Sequence, residues 1–213
     1  HHHKFPNEKR LRQPFITLHA GEDYGHILSG LRAIDEAVTY CDFKPGDRIG
    51  HGLALGVDVD KWIERQQHIY LPLQEHLDNL VWCYQKGIEL IANYPQFQSA
   101  VMVIREKIYH FCHELHGEEL SPQILYQAWK LRRNCPLTID KQSEALGTEL
   151  MLLVPDLIQI QNANKDDTGT GTTSYSLWLK YLKRKRHDKD HEKVVSISYS
   201  HNIGPNPPIF QTG

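Results

Sequence analysis

Three side chains that can bind a metal ion or move a proton follow two short apolar segments of the sequence. In "FITLHAGEDYGH", residues 15–26, an apolar run ends in His19, and Glu22 follows after a small Ala-Gly pair. In "RIGHG", residues 48–52, a second short run ends in His51. A neutral imidazole is a common metal ligand and accepts protons near neutral pH, and a carboxyl group can transfer protons as well. These residue types make both segments candidates for chemistry.

The two segments are predicted to be strands joined through a helix. Residues 15–19 are apolar and β-branched, which favours a buried strand. Apolar residues recur at helical spacing over 24–40, with Asp23 as a cap or first-turn residue. Residues 45–47 form a turn before a second strand over 48–51. A strand–helix–strand unit favours a parallel sheet, and in a parallel α/β barrel the strand ends converge on one face.

The pair "TLHAGE" and "RIGHG" resembles the adenosine deaminase superfamily of zinc-dependent amidohydrolases. The resemblance covers about residues 14–60, and its strength lies in the order and separation of the two motifs. It implies an α/β fold, part of a (β/α)8 TIM-type barrel. "HAGED" and the long helical stretch that follows are also similar to the deaminase subunits of the RADAR anti-phage defence system. A fainter similarity places Asn202, in "SYSHNIGPNPPIF", after a further barrel strand.

The resemblance implies a role for each of the three residues. His19 would be a ligand of Zn²⁺, which lowers the pKa of a bound water towards neutrality. Glu22 would be a protonated acid that donates to N1 of adenine. His51 would orient or deprotonate the attacking water. Loss of ammonia would convert adenine to hypoxanthine.

Each of these residues also has a purely structural interpretation. His19 could be a hydrogen-bonded histidine at a strand end, and Glu22 an acid stabilised at a helix N-terminus. His51 could be a loop histidine between two glycines. The presence of both motifs in one chain favours the chemical interpretation.

The sequence departs from the superfamily pattern at the remaining metal ligands. Outside the opening histidines it has no His-x-His pair, and it has no Asp-Asp-Pro segment, because Asp166 and Asp167 are followed by Thr168. A complete barrel takes about 250 residues, and this chain of 213 residues devotes most of its length to helical patterns. We therefore expect a segment of a longer protein, which alone would hold catalytic zinc weakly.

Three regions follow from the patterns along the chain. Residues 1–57 are predicted to be the barrel segment that carries both motifs. Residues 58–192 are predicted to be a mainly helical insertion, with a helix that starts at Ser121-Pro122 and a flexible Gly/Thr-rich loop near 162–174. Residues 193–213 are predicted to return to a barrel strand and loop.

Composition limits the remaining classes of function. The formal net charge of −2 gives no global sign of a nucleic-acid-binding protein, although RNA binding stays open. No apolar run is long enough to cross a bilayer, and no apolar signal segment opens the chain. The four cysteines are widely spaced, which indicates reduced thiols. These features predict a cytoplasmic protein without a membrane segment. His1–His3 could be the remnant of a purification tag.

The sequence thus predicts a Zn²⁺-dependent enzyme that deaminates adenosine or adenine nucleotides. The resemblance to defence deaminases extends the substrates to ATP or dATP, and it implies a homo-oligomer and an AAA-type ATPase partner. One alternative is a non-catalytic assembly or interaction module built on a barrel remnant. A second alternative is a secreted adenosine deaminase-like growth factor, which has a similar "RIGHG" context.

Overall fold

Residues 14–57 contain a strand–helix–strand unit. In the computed structural model, which describes residues 14–134, 171–183 and 193–199, the chain divides into two compact units, His1–Val57 and Asp58–Gly213. In the first unit, β1 is Thr17–Ala20, α1 is Ile27–Tyr40 and β2 is Arg48–His51. A short 3₁₀ helix, Leu53–Gly56, follows.

The strands β1 and β2 pair in parallel, as the sequence predicts. Thr17 lies opposite Arg48, and Ala20 lies opposite His51. Ile34 of α1 packs against Ala20 and Ala54 in the buried cluster of this unit. The crossover helix therefore covers one face of the pair, which is the arrangement that a right-handed parallel connection gives.

Helix α1 begins three residues later than its pattern predicts. His26, and not Asp23, is the N-cap residue, because its Nδ1 accepts a hydrogen bond of 3.0 Å from the backbone N–H of Leu28. Asp23 lies in the bend before the helix and is exposed. The apolar periodicity does not locate the first turn, since Tyr24 also packs against the cluster of Ile34 without being helical.

The second unit is mainly helical. It contains α2 (Val59–Gln66), β3 (His68–Pro72), α3 (Leu73–Ile91), α4 (Gln98–His116), α5 (Pro122–Lys130), α6 (Ser174–Lys183) and β4 (Val194–Ser198). Short 3₁₀ turns occupy Pro95–Phe97 and Leu131–Arg133. The predicted start of α5 is confirmed, because the Ser121 side chain accepts from the N–H of Ile124 and Pro122 stands in the first turn.

The core of this unit is built from the facing sides of α3, α4, α5 and α6. Its fully buried side chains include Leu77, Ile108, Phe111 and Trp178. Beside this core, Asp78 and Arg132 form a two-pronged ion pair, with Arg132 Nη to Asp78 Oδ distances of 2.6 and 2.9 Å. This pair joins α3 to the end of α5, while the apolar contacts supply most of the stability.

Strand β3 is absent from the sequence prediction, which assigned this region to helices. Its side chains alternate between exposed and buried, with Ile69 and Leu71 inside. Strand β4 pairs with it antiparallel, so that Ile69 lies opposite Ile197. A five-residue alternation is too short to stand out between longer helical patterns, and its partner lies far along the chain.

The described residues show a mixed α/β protein that is mostly helical, with two two-stranded sheets. The (β/α)8 barrel remains a prediction, as does the return of 193–213 to it. Several predicted features lie outside the described residues, namely most of the loop near 162–174, Asp166, Asp167, Asn202 and His1–His3.

Three cysteines of the described residues, Cys41, Cys83 and Cys112, are free thiols. Among the described helices, none combines the length and the apolarity needed to cross a bilayer.

Candidate functional site

The carboxyl ends of β1 and β2 bring the three candidate residues together. His19 is the third residue of β1, Glu22 follows that strand, and His51 is the last residue of β2. Because β1 and β2 are parallel and in register, both strands end at the same edge of the sheet. The convergence expected from the strand–helix–strand pattern is therefore present in the structure.

Glu22 lies between the two imidazoles. His51 Nε2 is 3.0 Å from Glu22 Oε2, and His19 Nδ1 is 3.7 Å from Glu22 Oε1. The two imidazole rings meet edge to face, with centroids 4.9 Å apart and planes inclined at 84°. One carboxylate thus faces two histidines with different oxygens.

All three side chains are accessible from solvent in this unit. The side chains of His19 and His51 are 63% and 51% exposed, and that of Glu22 is 29% exposed. Ion pairs in such an exposed setting contribute little to stability, about 0–1 kcal/mol. The three side chains can therefore change position around a ligand with little loss of folding stability.

Backbone hydrogen bonds hold the two strand ends in place. Beyond the strands, the N–H of Gly52 donates to the carbonyl of Ala20 over 3.1 Å, and the N–H of Ala54 donates to the carbonyl of Gly21 over 2.9 Å. Gly21 has a φ of +72°, and a Cβ at this position would collide with Ile34. Glycine therefore allows the chain to turn sharply between β1 and Glu22.

His51 occupies a backbone conformation that L-residues rarely adopt. Its φ is +63°, in the left-handed region that favours glycine. A side chain in this region costs of order 1–3 kcal/mol, and such residues concentrate at functional sites. The fold therefore carries strain at the residue whose imidazole faces Glu22.

This strain predicts a difference between two variants that both lack the imidazole. We expect the free energy of unfolding of the first unit to be about 1 kcal/mol higher in His51→Gly than in His51→Ala, because only glycine adopts the left-handed φ freely. Amide hydrogen exchange of β2 and α1 measures this free energy locally. Equal or greater protection in His51→Ala would show that the backbone is relaxed at this position.

The donor set fits a divalent transition metal ion. One nitrogen from each of His19 and His51 and one oxygen of Glu22 all lie within 4.8 Å of one another. Zinc accepts nitrogen and carboxylate ligands at about 2.0–2.2 Å, which places tetrahedral ligands about 3.4 Å apart. The nitrogens of His51 and His19 lie 3.0 and 3.7 Å from two different Glu22 oxygens, near that spacing. The three residue types and their proximity therefore fit a metal ion, and the role of His19 as its ligand stays a prediction.

Two structural contributors to this site are absent from the sequence prediction. Gly50 lies directly opposite His19 in the sheet, and Ala54 ties the segment after β2 to Gly21. Gly50 could not be found from the sequence, because aligning the strands by their histidines would place residue 50 opposite Leu18, one residue away from the observed register. The Ala54 contact has no local signature, since a backbone N–H is common to nearly every residue.

Comparison with known proteins gives no family assignment. The chain matches no model of a known protein family and no curated protein. The assignment of a function to the chain therefore depends on the side chains at this strand edge and on the motifs that contain them.

Proposed function

We propose that this chain carries part of the active site of a zinc-dependent hydrolase of the adenosine deaminase type. One observation carries the proposal, namely the convergence of His19, Glu22 and His51 at the carboxyl edge of two parallel strands. A metal ligand, a proton donor and a water-orienting base are the groups that hydrolytic deamination of a purine needs in one place.

His19 is the residue proposed to hold the metal ion at this edge. Its imidazole is exposed and lies within reach of the donor atoms of Glu22 and His51. When bound, zinc lowers the pKa of a coordinated water and polarises the bond under attack. The other metal ligands are not assigned to residues of this chain.

The proton transfers are proposed to belong to Glu22 and His51. The Glu22 carboxyl donates a proton to N1 of the adenine ring, while His51 orients the water that adds to C6 and accepts its proton. The proton held by His51 then passes to the amine, the C6–N bond breaks and ammonia leaves, and the proton of the C6 hydroxyl returns to Glu22, which gives hypoxanthine. The 3.0 Å separation of His51 Nε2 and Glu22 Oε2 supports the assignment, because both groups must reach the same reacting carbon and nitrogen.

The proposed substrates are adenosine and adenine nucleotides, including ATP and dATP. A homo-oligomer and an AAA-type ATPase partner belong to the same proposal, through the similarity of "HAGED" to the defence deaminases. The product assay tests the activity separately from either assembly.

The test is a product assay on the intact protein that contains this sequence. Incubation with adenosine, ATP or dATP should release ammonia and give the corresponding inosine product, detected by chromatography. Treatment with a zinc chelator should abolish the activity, and Zn²⁺ but not Mg²⁺ should restore it, because an imidazole ligand such as that of His19 favours zinc over magnesium. The His19→Ala variant should resist restoration at the same zinc concentration.

The absence of product from the zinc-loaded intact protein with all three substrates would contradict the enzymatic proposal. That result would favour the alternative function, a non-catalytic assembly module. Its expected signature is a stable oligomer, measured by analytical ultracentrifugation, that forms equally well in wild-type protein and His19→Ala.

A further inference from the structure

Gly50 lies against the imidazole of His19. The two residues are direct partners in the parallel pair of β1 and β2. A Cβ built on Gly50 would overlap Cδ2 of His19 and would lie 2.9 Å from its Nε2. The His19 ring therefore occupies the space that any other residue at position 50 would fill with its own side chain.

Space, and not backbone conformation, is the reason for glycine at this position. Gly50 lies within β2 and is not among the residues with a positive φ, in contrast to Gly52, whose φ is +55°. Alanine could therefore adopt the backbone of residue 50 without strain. The constraint at Gly50 comes from the neighbouring ring alone.

The position of this ring sets the geometry of the candidate site. By lying across Gly50, the His19 imidazole meets His51 edge to face at 4.9 Å, and it places Nδ1 3.7 Å from Glu22. A ring displaced by an added methyl group would change both of these separations. A misplacement of about 1 Å in a catalytic arrangement can cost up to 10²-fold in rate.

We propose that Gly50 is a positioning residue that sets the location of the His19 imidazole relative to Glu22 and His51. Its effect on geometry is independent of the reaction, and only its effect on rate rests on the proposed deaminase function. It acts by lacking a side chain, which leaves the space above its Cα to the His19 ring.

The Gly50→Ala variant should move the ring while leaving the fold intact. The His19 side chain is 63% exposed, so its ring can turn towards solvent and relieve the overlap. The matched control is Gly56→Ala, because a Cβ at Gly56 meets no atom within 4 Å and its φ is not positive. Both variants add one methyl group to the same unit.

The direct measurement is the nuclear Overhauser effect between the ring protons of His19 and His51 in the 213-residue chain. We expect this signal in wild-type protein and in Gly56→Ala, and its loss in Gly50→Ala with otherwise unchanged backbone amide shifts in α1. Retention of the wild-type ring contact in Gly50→Ala would overturn the proposal, whatever the activity of the protein.

A second variant covers the case in which Gly50→Ala fails to fold. In His19→Ala/Gly50→Ala the added methyl group meets no ring, so this variant should match His19→Ala in amide protection of β1 and β2. Failure of the double variant to recover would show that Gly50 acts through the backbone, against the proposal.

Kinetics separate this inference from the proposed function. In the intact protein, Gly50→Ala should lower kcat for deamination roughly tenfold and change KM less, because the ring and not a substrate contact is displaced. A lost ring contact in a protein without deaminase activity leaves the positioning role standing and refutes the proposed function. A lost ring contact with wild-type kcat refutes the catalytic importance of Gly50.

Discussion

Glu22→Gln in the intact protein should lower kcat for adenosine deamination by about 10³-fold, within the range by which general acid–base catalysis accelerates reactions. Glutamine has nearly the shape of glutamate and can still hydrogen-bond to His51, but its amide cannot transfer a proton to N1 of the purine. KM should change much less than kcat, because the lost interaction belongs to the transition state. Steady-state kinetics of inosine formation measure both constants.

Asp23→Asn is the matched control for this variant. Asp23 is the next residue, is exposed in the same bend, and undergoes the same replacement of a carboxyl group by an amide. Its kcat should stay within about twofold of wild type, since an exposed charge acts weakly through solvent. A Glu22→Gln enzyme that keeps kcat near the Asp23→Asn value would remove Glu22 from the catalytic machinery.

The first unit should lose stability as the pH falls from 6.5 to 4, because of His26. This side chain is 3% exposed, and burial lowers its pKa to about 4 from the usual 6.5. Between these values the unfolded chain binds a proton that the folded chain excludes, so acid favours unfolding. The contribution of this one group amounts to about 3 kcal/mol at pH 4 and about 2 kcal/mol at pH 5.

The same protonation removes the helix cap. Nδ1 of His26 accepts from the N–H of Leu28, and a protonated Nδ1 has no lone pair for that hydrogen bond. Loss of an N-cap acceptor costs about 1 kcal/mol. At acid pH we therefore expect α1 to unfold first at its N-terminal turn.

His26→Asn isolates this effect, because asparagine is a good N-cap residue and does not titrate. Protection factors of the α1 amides are the suitable measurement, since all four tryptophans lie in the other unit. The ratio of wild-type to His26→Asn protection should fall about 10²-fold between pH 7.5 and pH 4. A ratio that does not change with pH would show that His26 titrates alike in the folded and unfolded chains.

The sequence predicts the part of this site that depends on short-range order. Periodicity and turn residues predict the helix end at Tyr40 and the strand over 48–51. The buried strand predicted over 15–19 is instead Thr17–Ala20, in which only Ala20 is buried, and Phe15 and Ile16 are exposed. Parallel strands joined by a helix end at the same edge, so the proximity of His19 to His51 follows from that pattern. The helix start was wrong by three residues, because the capping role of a histidine is not a common signal.

Other features were decided by contacts between distant parts of the chain. Strand β3 is stabilised by β4, and their His68 and Ser198 side chains meet across 130 residues of sequence. A five-residue strand has too few local interactions to be stable alone, so its identity depends on that partner. The low pKa of His26 likewise depends on its burial, which the neighbouring residues in the sequence do not predict.

The sequence by itself determined which chemical groups this protein presents and at which strand ends they lie, because residue type and period are local properties. The tertiary structure alone decided that Glu22 faces both imidazoles, that His51 has a left-handed φ, and that the His19 ring occupies the space above Gly50. These are distances between side chains on separate strands. They depend on strand register and close packing, which are fixed only when the chain is folded.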